Sequence, residues 1–248
     1  MSDNVIKMKK EKKDPSEQLG NFVTKYRRPI LLVVIILVVA AIAVCVTVGV
    51  TDKSRENGIA KLDTIEYVFT KDSSSLTDEE IASREKTVMD EIQPYLNKKN
   101  VVGVRANMLA ASIAFQKKDY ENSKTYWLAA FASGKKSYTA PVCKYNAAVC
   151  CEELGDNTKA AEYYESASDA KDFLLVTHCL FSLGRVKEAL NDFTGASVAY
   201  NKLVDKYPDD EWTNVAQSRL ITLKTEGKIT DAVVEPTDAE KSTDKESK

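Results

Sequence analysis

The hydrophobic positions of the chain fall into two regimes. From Ile30 to Val50 apolar residues run on without a charge, interrupted only by Thr47 and Gly49. As a helix this stretch rises about 30 Å, the thickness of a bilayer hydrocarbon core. Lipid offers backbone N–H and C=O groups no partner outside the chain, so a helix is the form the stretch must take there. Downstream the apolar positions recur at helical spacing between polar turns, with no extended period-two run, which predicts helices throughout. Ile59, Leu62, Ile65 and Phe69 predict one helix over 52–69, and residues 71–75 a loop. Thr77 and Glu80 then stand at capping-box spacing ahead of a helix to about Asn97, with Ile81, Val88, Ile92 and Leu96 on it and Pro94 near its end.

The remainder aligns on itself with a shift of 36–37 residues. Residues 117–131, 154–168 and 190–204 each open with a polar turn followed by a small residue: Ser123, Ala160 and Ala196. A large aromatic follows (Trp127, Tyr164, Tyr200), then Ala130, Ala167 or Leu203. Each segment is preceded by a helical pattern, over 106–116, 142–154 and 174–190. A final helix over 212–224, capped by Asp209 or Asp210 and stopped by Gly227, is expected to cover the open end with Val215, Leu220 and Leu223.

This pattern resembles the tetratricopeptide repeat, a helix–turn–helix unit of about 34 residues. The third unit carries the resemblance furthest, with Leu183-Gly184, Phe193, Ala196, Tyr200 and Tyr207-Pro208; Ala147-Ala148 and Ala110-Ala111 replace Leu-Gly in the other two. The resemblance implies that the first helix of each unit lines a concave binding face. In register, the candidate positions are Arg105, Met108, Ser112, Phe115 and Gln116 in the first unit. The second supplies Val142, Tyr145, Val149, Glu152 and Glu153, and the third His178, Phe181, Arg185, Glu188 and Ala189. Of all these, seven are the expected partner-binding residues: Arg105, Phe115, Tyr145, Glu152, His178, Phe181 and Arg185. Phe115, Tyr145 and Phe181 are the expected apolar anchors, with the charged residues setting polarity; the competing reading of each aromatic is core.

Charge adds topology. Residues 1–50 hold eight Lys/Arg against four Asp/Glu, with Lys7, Lys9, Lys10, Lys12 and Lys13 in the head and Lys25, Arg27 and Arg28 before the span. Just after it come only Lys53, Arg55 and Lys61. That bias predicts a cytoplasmic N-terminus and an exported body. The span is too long for a cleaved signal peptide, and Val44 is too large for a lipobox ahead of Cys45. The body is mildly acidic with mixed signs, which argues against a nucleic-acid surface.

Chemistry is sparse. His178 is the one histidine, Cys150-Cys151 is not a CxxC pair, and no phosphate-binding or nucleophile-elbow motif occurs. No catalytic, cofactor or metal site is therefore expected, and the reading is a non-enzyme. Cys143, Cys150, Cys151 and Cys179 read as buried thiols, because equivalent positions of stacked repeats lie beyond disulfide reach.

The expected fold is all-α: one N-terminal transmembrane helix followed by a tetratricopeptide-like array. Its divisions are a basic head (1–29), the span (30–50), membrane-proximal helices (51–104), the repeats with their capping helix (105–227) and a disordered tail (228–248). This architecture resembles the bacterial ancillary subunit of the SecYEG translocon. The resemblance implies an inner-membrane scaffold whose partners are the translocon and periplasmic chaperones in protein export or quality control. Tyr207-Pro208-Asp209-Asp210 also resembles repeats of envelope-assembly and cell-division adaptors, and a self-associating structural subunit is the third reading.

Overall fold

The computed structural model describes residues 15–230. The lysine cluster at 7–13 and the tail from residue 231 lie outside the described residues. The chain divides into two compact units, Met1–Asn57 and Gly58–Lys248. Among the described residues the structure is helical without strands.

In the first unit the long helix α1 (Pro15–Thr70) begins, continuing into the second unit. Span and following helix are thus one element rather than two. Tyr26 departs from helical geometry three residues before Pro29, whose ring removes an N–H and crowds the preceding turn. The apolar side chains from Ile30 to Val50 are exposed, and the helix is long and apolar enough to cross a membrane. Thr47 and Thr51 return their hydroxyls to the carbonyls of Val44 (2.9 Å) and Val48 (2.8 Å), so neither leaves a polar group unpaired.

The second unit opens with the end of α1. Leu62 and Ile65 are buried against Val88 and Ile92 of α2 (Asp78–Ile92) and Val102, Ala106 and Ile113 of α3 (Val101–Gln116). The capping box forms as its spacing predicts: Thr77 accepts from the Glu80 N–H while the Glu80 carboxylate accepts from the Thr77 N–H (2.8 Å). α2 stops at Ile92, earlier than expected, and a 3-10 turn at Gln93–Tyr95 contains Pro94. α3 starts earlier than expected, at Val101, because Asn100 caps it with its side-chain carbonyl.

The array then alternates α4 (Tyr120–Ser133), α5 (Ala140–Glu153), α6 (Asn157–Ser168), α7 (Val176–Ala189), α8 (Phe193–Lys206) and α9 (Glu211–Thr225). Sequence neighbours pack on one another, the nearest-neighbour economy of a solenoid. The turn inside each repeat is one device used three times. Lys118, Gly155 and Asn191 take positive φ, and the next residue (Asp119, Asp156, Asp192) caps the second helix by accepting from the N–H of Asn122, Lys159 or Gly195.

The small residues of the sequence pattern mark close helix approach. Ala110, Ala111, Ala147, Ala148, Ala160 and Ala196 are fully buried. A Cβ on Gly184 would lie 2.3 Å from the Tyr200 ring, so only glycine lets that ring seat. At the array's end the cover differs in part from expectation. Ala216, Leu220 and Leu223 close it, whereas Val215 faces outward. The four body thiols are buried and unpaired, and burial pushes Cys143 and Cys151 up to about 11 and Cys179 up to about 12.

Candidate protein-binding groove

Residues 58–70 of α1 and helix α3 run side by side in the same direction. Gly58 packs toward Val102, Arg105 reaches Asp63 (2.6 Å) and Glu66 (2.7 Å), and Phe69 packs on the cluster that holds Ile113. Beyond this contact the helices leave a groove of about 480 Å³. Met108, Leu109 and Ser112 form its α3 wall, Phe69 and Thr70 the opposite one, with Trp127, Tyr138 and Thr139 at its end. The lining is chiefly apolar, with hydroxyls of Thr70, Ser112, Tyr138 and Thr139 and the Arg105–Glu66 pair as its polar groups.

The seven sequence candidates divide. Arg105 lines this groove, but its guanidinium is already engaged by two carboxylates. Phe115 is half-buried, edge-on to Tyr120 at 5.3 Å. The other five gather further along the array. The Tyr145 hydroxyl lies 2.5 Å from His178 Nδ1, and the two rings are tilted at 50° with centroids 5.6 Å apart. His178 stacks on Trp212 at 4.4 Å, and Phe181 lies 5.0 Å from the same indole. All are half-buried, so these aromatics serve as packing and as accessible surface at once. Burial, then the Arg185 charge, holds His178 below the usual imidazole range, and burial pushes the Tyr145 hydroxyl up to about 12.

Glu152 and Arg185 meet one another. Arg185 donates to both Glu152 oxygens (2.5 and 2.8 Å), and the Tyr164 hydroxyl donates to the same carboxylate at 2.7 Å. The set repeats one unit on: Tyr200 donates to Glu188 at 2.6 Å, and Arg219 pairs with Glu188 through Nε at 3.1 Å and through its terminal nitrogen. Burial pushes Glu188 up, but the bonds from Arg219 and Tyr200 outweigh it and hold the carboxyl below its usual range. These charges clasp successive helices together.

Sequence reasoning missed Trp212, read as the start of a cover, and missed that Phe69 and Tyr138 border Met108 and Ser112. Trp212 carried a signal, since it follows His178 at nearly one repeat length; Tyr138, in a loop, carried none. Among the described residues no group of three His, Cys, Asp or Glu is placed to hold a metal.

Residues 143–172 and 178–210 each match the tetratricopeptide repeat family. A TPR repeat-containing protein of Treponema pallidum (strain Nichols) is 34% identical over 122 residues, covering 49% of this chain and 51% of that protein. The chain thus matches about half the length of this curated relative. Among solved structures, a Rap protein complexed with competence and sporulation factor aligns over 73% of this chain and 63% of its own, at 16% identity and TM-score 0.44. The matched residues fall on α5–α6 and α7–α8, so these two helix pairs are tetratricopeptide repeats; the preceding pair, α3–α4, lies outside both matches.

Proposed function

We propose that the protein is a membrane-tethered interaction scaffold that holds a segment of another protein in the groove between the end of α1 and α3. The observation that carries this reading is the groove's lining. Met108, Leu109, Phe69 and Trp127 offer an apolar floor, while Ser112, Thr139 and Tyr138 offer hydroxyls at its margin. An unbranched thioether and aromatic rings adapt to varied side chains, which suits a scaffold with several clients. The half-buried strip of Tyr145, His178, Phe181 and Trp212 extends the same chemistry along the repeats.

The tether is the apolar stretch of α1. Its flanking Lys/Arg bias supports a cytoplasmic N-terminus and an array on the exported side of an inner membrane. In that setting the translocon and periplasmic chaperones are the partners proposed, with a role in protein export or envelope quality control. The test is mild crosslinking in native membranes followed by pull-down of the full-length chain, beside Met108→Glu. Export or chaperone partners captured by the wild type and lost in the variant are the expected result. Division or outer-envelope assembly proteins captured instead would replace this pathway with the adaptor reading. Equal capture by both forms would overturn the groove.

A further inference from the structure

Three loops at one end of the array share an unusual composition. They are residues 97–100 before α3, 134–139 before α5 and 169–175 before α7. Lys98, Lys99, Lys135, Lys136 and Lys171 stand on them, all exposed, against two acids, Asp169 and Asp172, both on the third loop, where Asp169 pairs with Lys202 at 3.0 Å. On the second and third loops, at positions one repeat apart, two large side chains project almost wholly into solvent: Tyr138 is 91% exposed and Leu174 94%. Leu175 beside it is 42% exposed and occupies the N-cap of α7, where a polar side chain would ordinarily accept a hydrogen bond. Neither Leu175 nor Thr139 caps its helix with a side chain, so the positive ends of α7 and α5 open on the same edge.

We propose that this edge rests on the anionic headgroup surface of the membrane, with Tyr138 and Leu174 entering the interface and the five lysines facing acidic lipid. Charge complementarity selects the occupant. Basic side chains near an anionic leaflet are each attracted to it, and with five lysines against two aspartates on the three loops the edge as a whole is positive; an apolar tip on such an edge gains from partial burial there. The length of chain agrees. Gly58, where the array's share of α1 begins, packs toward Val102 at this same end of α3, and only residues 51–57 separate it from the apolar stretch. The fourth loop, 207–210, carries Asp209 and Asp210 and no lysine, so the basic edge is the first three loops, with five lysines against Asp169 and Asp172. This inference rests on the membrane reading of α1.

The test uses the full-length chain with Cys45→Ser and Leu174→Cys, labelled with an environment-sensitive fluorophore. It is reconstituted into vesicles of phosphatidylcholine, with or without phosphatidylglycerol. The expected result is a blue shift of emission in the anionic vesicles alone, abolished by Lys135→Glu, Lys136→Glu and Lys171→Glu together and by high salt. A label at Val198, midway along α8, should not respond. Identical spectra in both vesicles, or a shift that survives charge reversal, would overturn the proposal. A shift in neutral vesicles that grows with protein density would overturn it in favour of a second copy covering the edge. Flotation separates the two readings: protein that fails to float with neutral vesicles defeats the membrane span itself. Protein that floats while its label stays silent defeats only the docking edge.

Discussion

In the second and third repeats one carboxylate, Glu152 or Glu188, gathers a tyrosine hydroxyl from its own unit and an arginine from the helix after that unit, α7 or α9. In the first repeat the equivalent three positions are Phe115, Trp127 and Val149. Both solutions fill the same space, since Trp127, Tyr164 and Tyr200 are all buried. They differ in what a buried ring carries with it. A tyrosine sunk to its hydroxyl needs an acceptor, so Glu must follow, and a half-buried Glu then needs a cation. Tryptophan at the first position removes that chain of requirements, and the junction is built instead from Ala111, Ala130, Cys143, Ala147 and Cys150. The polar junctions fix register through hydrogen bonds. The apolar one leaves the neighbouring α3 surface free to line a groove.

The largest effects should come from the rings. Tyr200→Ala and Trp127→Ala are each expected to cost about 3–5 kcal/mol, read by denaturant unfolding of the full-length protein in detergent. Tyr200→Phe sharpens the comparison, because it keeps the ring and removes only the hydroxyl. It should cost about 1.5–3 kcal/mol, the value of a hydrogen bond to a charged group. A neutral result would mean that the clasp contributes nothing and that the two kinds of junction are energetically alike.

Next comes the contact under the ring. The equivalent positions Ala111, Ala148 and Gly184 are all fully buried or buried, yet only the third is glycine. With a Cβ at 2.3 Å from its ring, Tyr200 must shift, so Gly184→Ala should cost about 1–3 kcal/mol by overpacking. Ala148→Gly should cost about 0.5–1 kcal/mol through helix propensity alone. If Gly184→Ala instead stabilises, the third repeat has room that its packing does not show.

The repeat pattern and the capping box at Thr77 were legible because each depends on residues close in sequence, and so was the last cap, narrowed to Asp209 or Asp210 and found at Asp210, whose carboxylate accepts from the Trp212 N–H at 2.9 Å. The fates of Arg105, Glu152 and Arg185 were not. Their charged partners lie 33 or more residues away, and Asp63 and Glu66 stand on a helix that the repeat register does not include. Nothing in periodicity separates a charge that awaits a ligand from one that clasps the next helix. That the span and the helix predicted over 52–69 form one helix was also not legible, because the change from lipid-type to amphipathic pattern at residue 51 says nothing of whether the backbone continues.

A smaller effect concerns pH. The position held by His178 is Arg105 in the first repeat and Val142 in the second, so only the third repeat places a titrating ring there. His178 is held below its ordinary value, so protonation opposes the folded state. Its contribution is present above about pH 6.5 and is lost as pH falls through the lower folded value. The wild type should lose thermal stability between about pH 7 and pH 5 more steeply than His178→Val, whose profile over that window should flatten. Parallel profiles would show that the ring against Trp212 pays no penalty on charging.

The smallest effect isolates the turns. Lys118, Gly155 and Asn191 hold the same place in the three repeats at φ 58, 74 and 59°. Left-handed backbone crowds a Cβ against the following carbonyl, at a cost of about 1–2 kcal/mol that glycine does not incur. Glycine in turn makes the unfolded chain more flexible, which takes back about 0.4–1 kcal/mol. Lys118→Gly should therefore stabilise the first repeat by roughly 0.5 kcal/mol, and Gly155→Lys should destabilise the second by a similar amount. Opposite signs at equivalent positions would show that the three turns share one backbone requirement, met with different success by three residues. The same sign for both would mean that Lys118 gains from something its repeat alone provides, and the first turn would no longer be a copy of the second.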